Sequence, residues 1–282
     1  MADISLTAGI RSNLLSLQST SSLLARTQER LGTGKKVNSP IDNPTNYFTA
    51  QSLTNRAGDL TARLDGIAKG INTVKAADAG IKSVTSLLKQ AKGIAQDARA
   101  LSTDTADTQA QEDRSVLAKR FNDLMSQIDD LTKDSGYDGV NLLNNDSLTV
   151  EFAEKAGSSS LDLEGFDADT AGSIITAGSQ TVADWKSDNS AIDAAIEDIE
   201  TSEANLRNES KKLSGNLGVL TARQDFVKNL ANVLTTGAAD LTNADLNEEA
   251  ANLLALNTQN QLGVNALSLA SQQSQSVLRL LG

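Results

Sequence analysis

The sequence contains no cysteine and no histidine. The first absence excludes disulfides, thiolate nucleophiles and zinc–sulfur sites. The second removes the commonest general base and metal ligand, and with it every Ser-His-Asp, HExxH or histidine–metal arrangement. Carboxylates are plentiful, so composition leaves open a carboxylate pair acting as acid and base, but neither an enzymatic activity nor a cofactor is expected. Proline occurs twice, at Pro40 and Pro44, which frees the rest of the chain from the strongest helix breaker. Aromatic residues make up 3%. Leu, Ala, Ile and Val must therefore do the packing, which suits long helices better than a sandwich or barrel. No apolar run approaches a membrane span, and "MADISLTAGI" lacks a basic start followed by an apolar core, so neither a membrane partner nor a secretory signal is expected.

Charge is unevenly spread. Residues 141–200 carry 13 acids against Lys155 and Lys186, which accounts for the whole formal charge of −11. Residues 1–40 carry five bases and two acids, too few and too interleaved for a nucleic-acid surface, and no aromatic platform accompanies them. From residue 251 to 282 the single charged residue is Arg279. A surface helix normally turns a charged face to water, whereas this segment sets Leu and Val among Asn, Gln and Ser, polar groups that survive burial when a neighbour hydrogen-bonds them. It reads as surrounded by protein on several sides. An isolated helix is marginal in water, so both chain ends are expected to order only when several subunits surround them.

Helical periodicity dominates both ends. Ile10, Leu17, Leu24 and Leu31 recur every seven residues with Leu14 in the companion position, a heptad stripe that stops at "GTGKKVNSPIDNP" (32–44). A second helix carries Leu60, Leu64, Ile67, Ile71 and Val74 and continues to about Leu101; a third carries Leu117, Phe121, Leu124, Ile128 and Leu131 and closes at "SGYDG" (135–139). Between about 141 and 185 the pattern breaks: "SLTVEFAEK" (147–155) alternates like a strand, followed by Ser/Gly/Asp/Thr-rich loops. Trp185 is expected to pack this insert onto the helices. The fourth helix places Ile192, Ile199, Leu206, Leu213, Leu220, Val227, Leu234 and Leu241 at every seventh residue without a miss, the signature of left-handed supercoiling. The fold class is mainly α: a long antiparallel coiled-coil helical bundle with N- and C-terminal helices paired, plus a small β-containing insert.

Three stretches resemble the bacterial flagellins: "RLGTGKKVNSPIDNPTNYFTAQSL" (30–53), "YDGVNLL" (137–143) and "GVNALSLASQQSQSVLRLLG" (263–282). Asp42 and Asn43 stand where the family's N-terminal signature has an acidic pair, and Pro40 and Pro44 depart from its Ala-rich version. The resemblance covers nearly the whole chain. It implies a filament subunit with a terminal inner-tube domain (1–43 and 247–282), a coiled-coil domain (44–140 and 186–246) and a short acidic outward-facing insert (141–185). Inter-subunit packing would fall on Ile10, Leu14, Leu17, Leu24, Leu31, Leu267, Val277, Leu278 and Leu281. The implied partners are further copies of the chain, the flagellar export apparatus, a flagellin chaperone, and hook-associated junction and cap proteins, with export by the flagellar type III route to the cell exterior.

The resemblance also bears on recognition. In flagellins sensed by the animal Toll-like flagellin receptor, the second helix presents Arg, Glu and Leu; the matching stretch "LKQAKGIA" (88–95) has Gln90, Lys92, Gly93 and Ile94 instead. Ser158, Ser159, Ser160, Thr170, Ser173 and Thr176 are candidates for O-linked sugars, the alternative being a plainly solvated acidic surface. The triplets at Asn145 and Asn208 match the N-glycosylation pattern, which recurs by chance. A hook–filament junction protein of the same superfamily is the alternative reading, disfavoured by the unbroken heptads and the ending "SVLRLLG". A coiled-coil adhesin would need an aromatic surface that two Tyr, one Trp and five Phe hardly provide.

Overall fold

The computed structural model describes residues 8–153 and 159–281; for Ala8, Ser274 and residues 277–281 it describes the backbone alone. The elements are α1 (Ala8–Thr33), α2 (Pro44–Ala100), α3 (Thr108–Asp134), β1 (Leu148–Glu151), β2 (Ser160–Leu163), α4 (Asp184–Ser187), α5 (Ser190–Thr242) and α6 (Leu246–Leu281). Two compact units result: Met1–Asn55 with Val233–Gly282, and Arg56–Asn232.

Local chemistry sets the helix ends. Gly34, at φ +69°, takes the left-handed conformation that ends α1. Pro44 starts α2 where its missing N–H costs nothing, and the Asn43 side chain accepts the Asn46 N–H at 3.0 Å. Asp107 caps α3 by accepting the Ala110 N–H at 3.0 Å. Asp245 accepts from the Asn247 N–H at 2.9 Å at the start of α6, where Glu248 and Glu249 also complement the helix dipole. Asn141 of "YDGVNLL" is an end-piece for α3: its Nδ2 donates to Thr132 O at 2.7 Å and Lys133 O at 3.0 Å.

In the second unit α2 and α5 run antiparallel, fastened by Lys92–Glu200 at 2.8 Å, by Arg99–Asp193, and by Ser210 donating to Asp78 at 3.2 Å. The expected stripe forms the core: Ile192, Ile199, Leu206, Leu213, Leu220 and Val227 are buried with Ile67, Val74, Val84 and Leu88 of α2 and Phe121, Met125 and Ile128 of α3. Three packed helices leave three valleys between them. The one between α3 and α5 is filled by the extended segment 166–185. Asp129 of α3 receives the Thr170 N–H at 2.7 Å, Asn122 and Gln180 exchange two hydrogen bonds, and the Thr176 hydroxyl donates to Asp198 O of α5 at 3.0 Å. The other two valleys stay open as grooves of about 650 Å³ (α2/α3) and about 400 Å³ (α2/α5).

The insert is more integral than a solvated loop. Its strand pair is antiparallel, with Leu148 opposite Leu163 and Glu151 opposite Ser160. It seats Val150 on Gly70 of α2 so closely that a Cβ there would lie 2.7 Å from Val150 Cγ2. Leu142, Leu143, Leu163, Ala168, Ile175, Ala177 and Trp185 of the insert are fully buried. Trp185 packs against Phe121 of α3, the two rings tilted by 55° with centroids 5.2 Å apart, as the sequence led one to expect. The clamp beneath it, Arg114, carries no sequence signal. This wholly buried guanidinium donates to the carbonyls of Trp185, of Leu101 at 3.1 Å and of Asp188 at 2.9 Å, and to Asn189 Oδ1 at 2.8 Å.

The first unit pairs α1 with α6 in antiparallel fashion. Helices Ala8–Thr33 and Leu246–Leu281 thus lie against each other within a single copy, which the expectation of order only among neighbours did not include. One helical partner covers one face of each, and the other faces remain outside that pairing.

Candidate assembly surface

Every third or fourth residue of α6 is withdrawn from solvent: Glu249, Leu253, Leu256, Asn260, Gly263, Leu267 and Ala270. On α1 the matching residues are Ile10, Leu17, Thr20, Leu24, Thr27, Arg30 and Leu31. The two rows form a coiled-coil seam. Gly263 lets α1 approach, since a Cβ at that position would stand 2.7 Å from Leu17 Cδ2. Glu249, 7% exposed, closes the seam by accepting from Arg30 Nη1 at 2.9 Å.

Next to the seam the segment "GTGKKVNSPIDNP" joins the turn after α5. Lys36 and Val37 N–H donate to Thr242 O at 2.7 and 3.2 Å, and Ala244 N–H donates to Gly34 O at 3.0 Å. Asp42 ties the loop down: one carboxylate oxygen accepts from Asn38 N–H, Ser39 N–H and the Ser39 hydroxyl at 3.0–3.1 Å. The Ser39 N–H above all, then its hydroxyl and the Asn38 N–H, hold the Asp42 carboxyl below its ordinary value. The signature residues therefore do architectural work in a loop with no catalytic geometry.

Of the residues assigned to inter-subunit packing, Ile10, Leu17, Leu24, Leu31 and Leu267 lie half-buried along this intrachain seam, while Leu14 is 41% exposed. Val277, Leu278 and Leu281 lie outside the described side chains. The structure adds residues that heptad reasoning passed over: Leu15 and Leu23 on α1, and Leu254, Leu262, Val264 and Leu269 on α6, all exposed. At 100° per residue, Leu254, Leu262 and Leu269 share the side of α6 that faces away from the seam. A seven-residue search cannot set them apart from the seam, since Leu262 and Leu269 are themselves seven apart; their signal is the missing charge. Of the coiled-coil residues, Leu234 is buried and Leu241 half-buried in this unit.

The receptor-related stretch divides between two faces. Gln90, Gly93 and Ile94 line the α2/α3 groove with Arg120 and Asp123, while Lys92 turns to α5 and pairs with Glu200, the bond that raises its pKa. Among the glycan candidates, Ser160, Ser173 and Thr176 are exposed and Ser159 and Thr170 half-buried; the Thr170 and Thr176 hydroxyls are engaged with Asp129 and with Asp198 O. Ser158 lies outside the described residues. Among the described residues no group of acids has the arrangement to hold a metal ion, and no helix is long and apolar enough to cross a membrane.

A two-helix pair with apolar groups on its outer sides and a clasp loop is what the geometry presents, and comparison with known proteins says whose it is. The profile of the bacterial flagellin N-terminal helical region matches residues 4–147, and that of the C-terminal helical region matches residues 189–281. Flagellin FljM of Caulobacter vibrioides is 32% identical over 269 residues, covering 95% of this chain and 94% of its own. A flagellin of Brucella melitensis is 28% identical over 290 residues and 99% of both chains. Among solved structures, one from Vibrio parahaemolyticus described as a flagellar hook-associated protein superposes with a TM-score of 0.57 at 14% identity, over 72% of this chain and 100% of that one, a likeness of fold. With both helical regions matched and relatives aligned over nearly its full length, the chain belongs to the bacterial flagellins, the structural proteins of the flagellar filament.

Proposed function

We propose that this subunit enters the filament by covering the outward leucines of its terminal helix pair with neighbouring copies. The observation that carries the reading is Leu254, Leu262 and Leu269, 61–71% exposed on an α6 face with no charge beside them from residue 251 to Arg279. Burying each contributes roughly 1.5–3 kcal/mol, and the intervening Asn, Gln and Ser groups pair across helix–helix contacts. Ile10, Leu14, Leu17, Leu24, Leu31 and Leu267 support that surface from the seam, with Val277, Leu278 and Leu281 extending it. In this reading 1–43 and 247–282 line the tube, 44–140 and 186–246 form the layer around it, and 141–185 faces outward, with Ser159, Ser160 and Ser173 the hydroxyls open to glycosylation. Delivery is by the flagellar type III route with a chaperone, and the filament ends meet hook-associated junction and cap proteins; the role is structural, without catalysis or cofactor. The test is seeded polymerisation of Leu254→Ser/Leu262→Ser/Leu269→Ser. The variant should keep the circular dichroism of the parent and lose elongation; normal filaments in electron micrographs would refute the reading.

A further inference from the structure

The second unit carries opposite charges on opposite sides of its three-helix bundle. The open valley between α2 and α5 is edged by Lys82, Lys89 and Arg207, with Lys75 one heptad before Lys82 on the same exposed face of α2. Three acids sit among them, counting Glu200, one heptad before Arg207 on α5 and bound to Lys92 at 2.8 Å. Asp78 is bound to Lys82 at 2.6 Å; Glu203 keeps one carboxylate oxygen buried without a hydrogen-bond partner. The cations outnumber them. In a bundle of three helices the side opposite the α2/α5 valley belongs to the third, and there α3 exposes Glu112, Asp113, Asp123, Asp130 and Asp134 against Lys119, Arg120 and Lys133, while the insert packed on it exposes Glu164 and Asp184. Acids outnumber cations there, and the buried Arg114, spent on carbonyls, adds nothing to the balance.

We infer that the basic α2/α5 groove of one copy takes the acidic α3-and-insert side of the next. The inference rests on the filament reading and adds to it a second, electrostatic contact outside the terminal helices. Both halves belong to the same chain and point in opposite directions, so copies set side by side in one orientation bring unlike faces together. Such a contact is heterologous: it continues from copy to copy around a tube, whereas a two-fold dimer would set like charges against each other. Complementary fields of this kind speed and orient association more than they tighten it, and salt weakens them as the screening length contracts.

The experiment uses full-length protein, short filament seeds and light scattering at low and moderate sodium chloride. Lys82→Glu/Lys89→Glu/Arg207→Glu makes both sides acidic, and Asp123→Lys/Asp130→Lys/Asp134→Lys makes both basic. Each alone is expected to elongate about tenfold more slowly than the parent at low salt, with the gap closing as salt rises. An equimolar mixture of the two should elongate again, as should a chain carrying both triple changes, because each restores unlike faces. That rescue is something a variant damaged in folding cannot give, and Lys82→Gln/Lys89→Gln/Arg207→Gln, gentler on the fold, should show a smaller loss of the same sign. Parent-like elongation of both reversed variants at low salt, or loss that neither mixing nor the double reversal repairs, overturns the inference. Failure of the parent itself to extend seeds would strike the filament reading instead.

Discussion

Single residues decide how the insert and the clasp loop are held. Arg114 serves four acceptors at once, so replacing it leaves carbonyl groups unpaired in a dry site; hydrogen bonds to a charged donor contribute about 1.5–3 kcal/mol each, partly offset here by relief of burying the charge. Burial holds its pKa below the ordinary arginine value while the nearby Asp188 carboxylate opposes that shift. Arg114→Met is expected to destabilise the second unit by about 3 kcal/mol, with Trp185 fluorescence moving toward that of a solvated indole at lower denaturant; an unchanged midpoint would show the clamp to be idle. Asp42 sets a pH dependence. Its carboxyl is depressed from an ordinary 3.8, so the clasp's contribution is fully present above that value and is lost as acidification carries the pH through the lower, folded-state pKa. Asp42→Asn should therefore melt below the parent at pH 6, with the difference shrinking below about pH 4; a gap that stays constant through that range would contradict the assignment.

At the scale of elements, α6 plays two parts on two faces. Its seam residues hold α1, and its exposed outer leucines are the ones that, in the function proposed above, neighbouring copies would cover. Removing residues 271–282 shortens the helix without touching the seam partners from Glu249 to Ala270 or the α5 stripe buried in the second unit. The truncated chain should remain a soluble helical monomer by circular dichroism and fail to extend filament seeds. Normal filaments from it would count against an inner-tube role for the C-terminal helix. The heptad stripe of the N-terminal helix and the uncharged, leucine-bearing C-terminal segment foretold their pairing. They did not foretell which apolar residues stay outside, because that depends on which face each helix turns to the other, and Leu residues lie on more than one face of both.

For the molecule as a whole, recognition by a host receptor depends on what the single subunit leaves open. The α2/α3 groove that gathers Gln90, Gly93 and Ile94 is open in the single subunit, so a receptor meeting monomers would find there a neutral amide and a bare backbone position where sensed flagellins offer a guanidinium and a carboxylate. A planar, bidentate donor is not replaced by an amide. Monomeric protein is expected to stimulate reporter cells bearing the flagellin receptor weakly, and Gln90→Arg/Gly93→Glu to recover part of the response, the second change also removing a helix-weakening glycine worth about 1 kcal/mol. No obvious steric bar opposes it, as nothing lies within 4 Å of a Cβ at Gly93. Potency of the parent equal to that of a sensed enteric flagellin would refute the expectation.

Repetition and absence were enough to determine the helical class, the long antiparallel pairs and the buried stripe from Ile192 to Val227, since a seven-residue period has one cheap way of burying itself. The lack of His and Cys removed most catalytic arrangements, and the uncharged terminus is the feature on which the proposed packing surface rests. Tertiary structure alone decided the rest. Segment 141–185 has no helical period, so its buried Ile175 and Trp185 look like any apolar residues in a loop until the valley between α3 and α5 is there to receive them, and Leu163 does so until Gly70 of α2 lies against it. Arg114 reads as one more surface base until the carbonyls of Leu101, Trp185 and Asp188 converge on it. Nor does the order of charges along the chain say that lysines of α2 and acids of α3 face opposite ways. Local periodicity is written in neighbouring residues, whereas valleys, clamps and opposed faces arise only where segments distant in sequence meet.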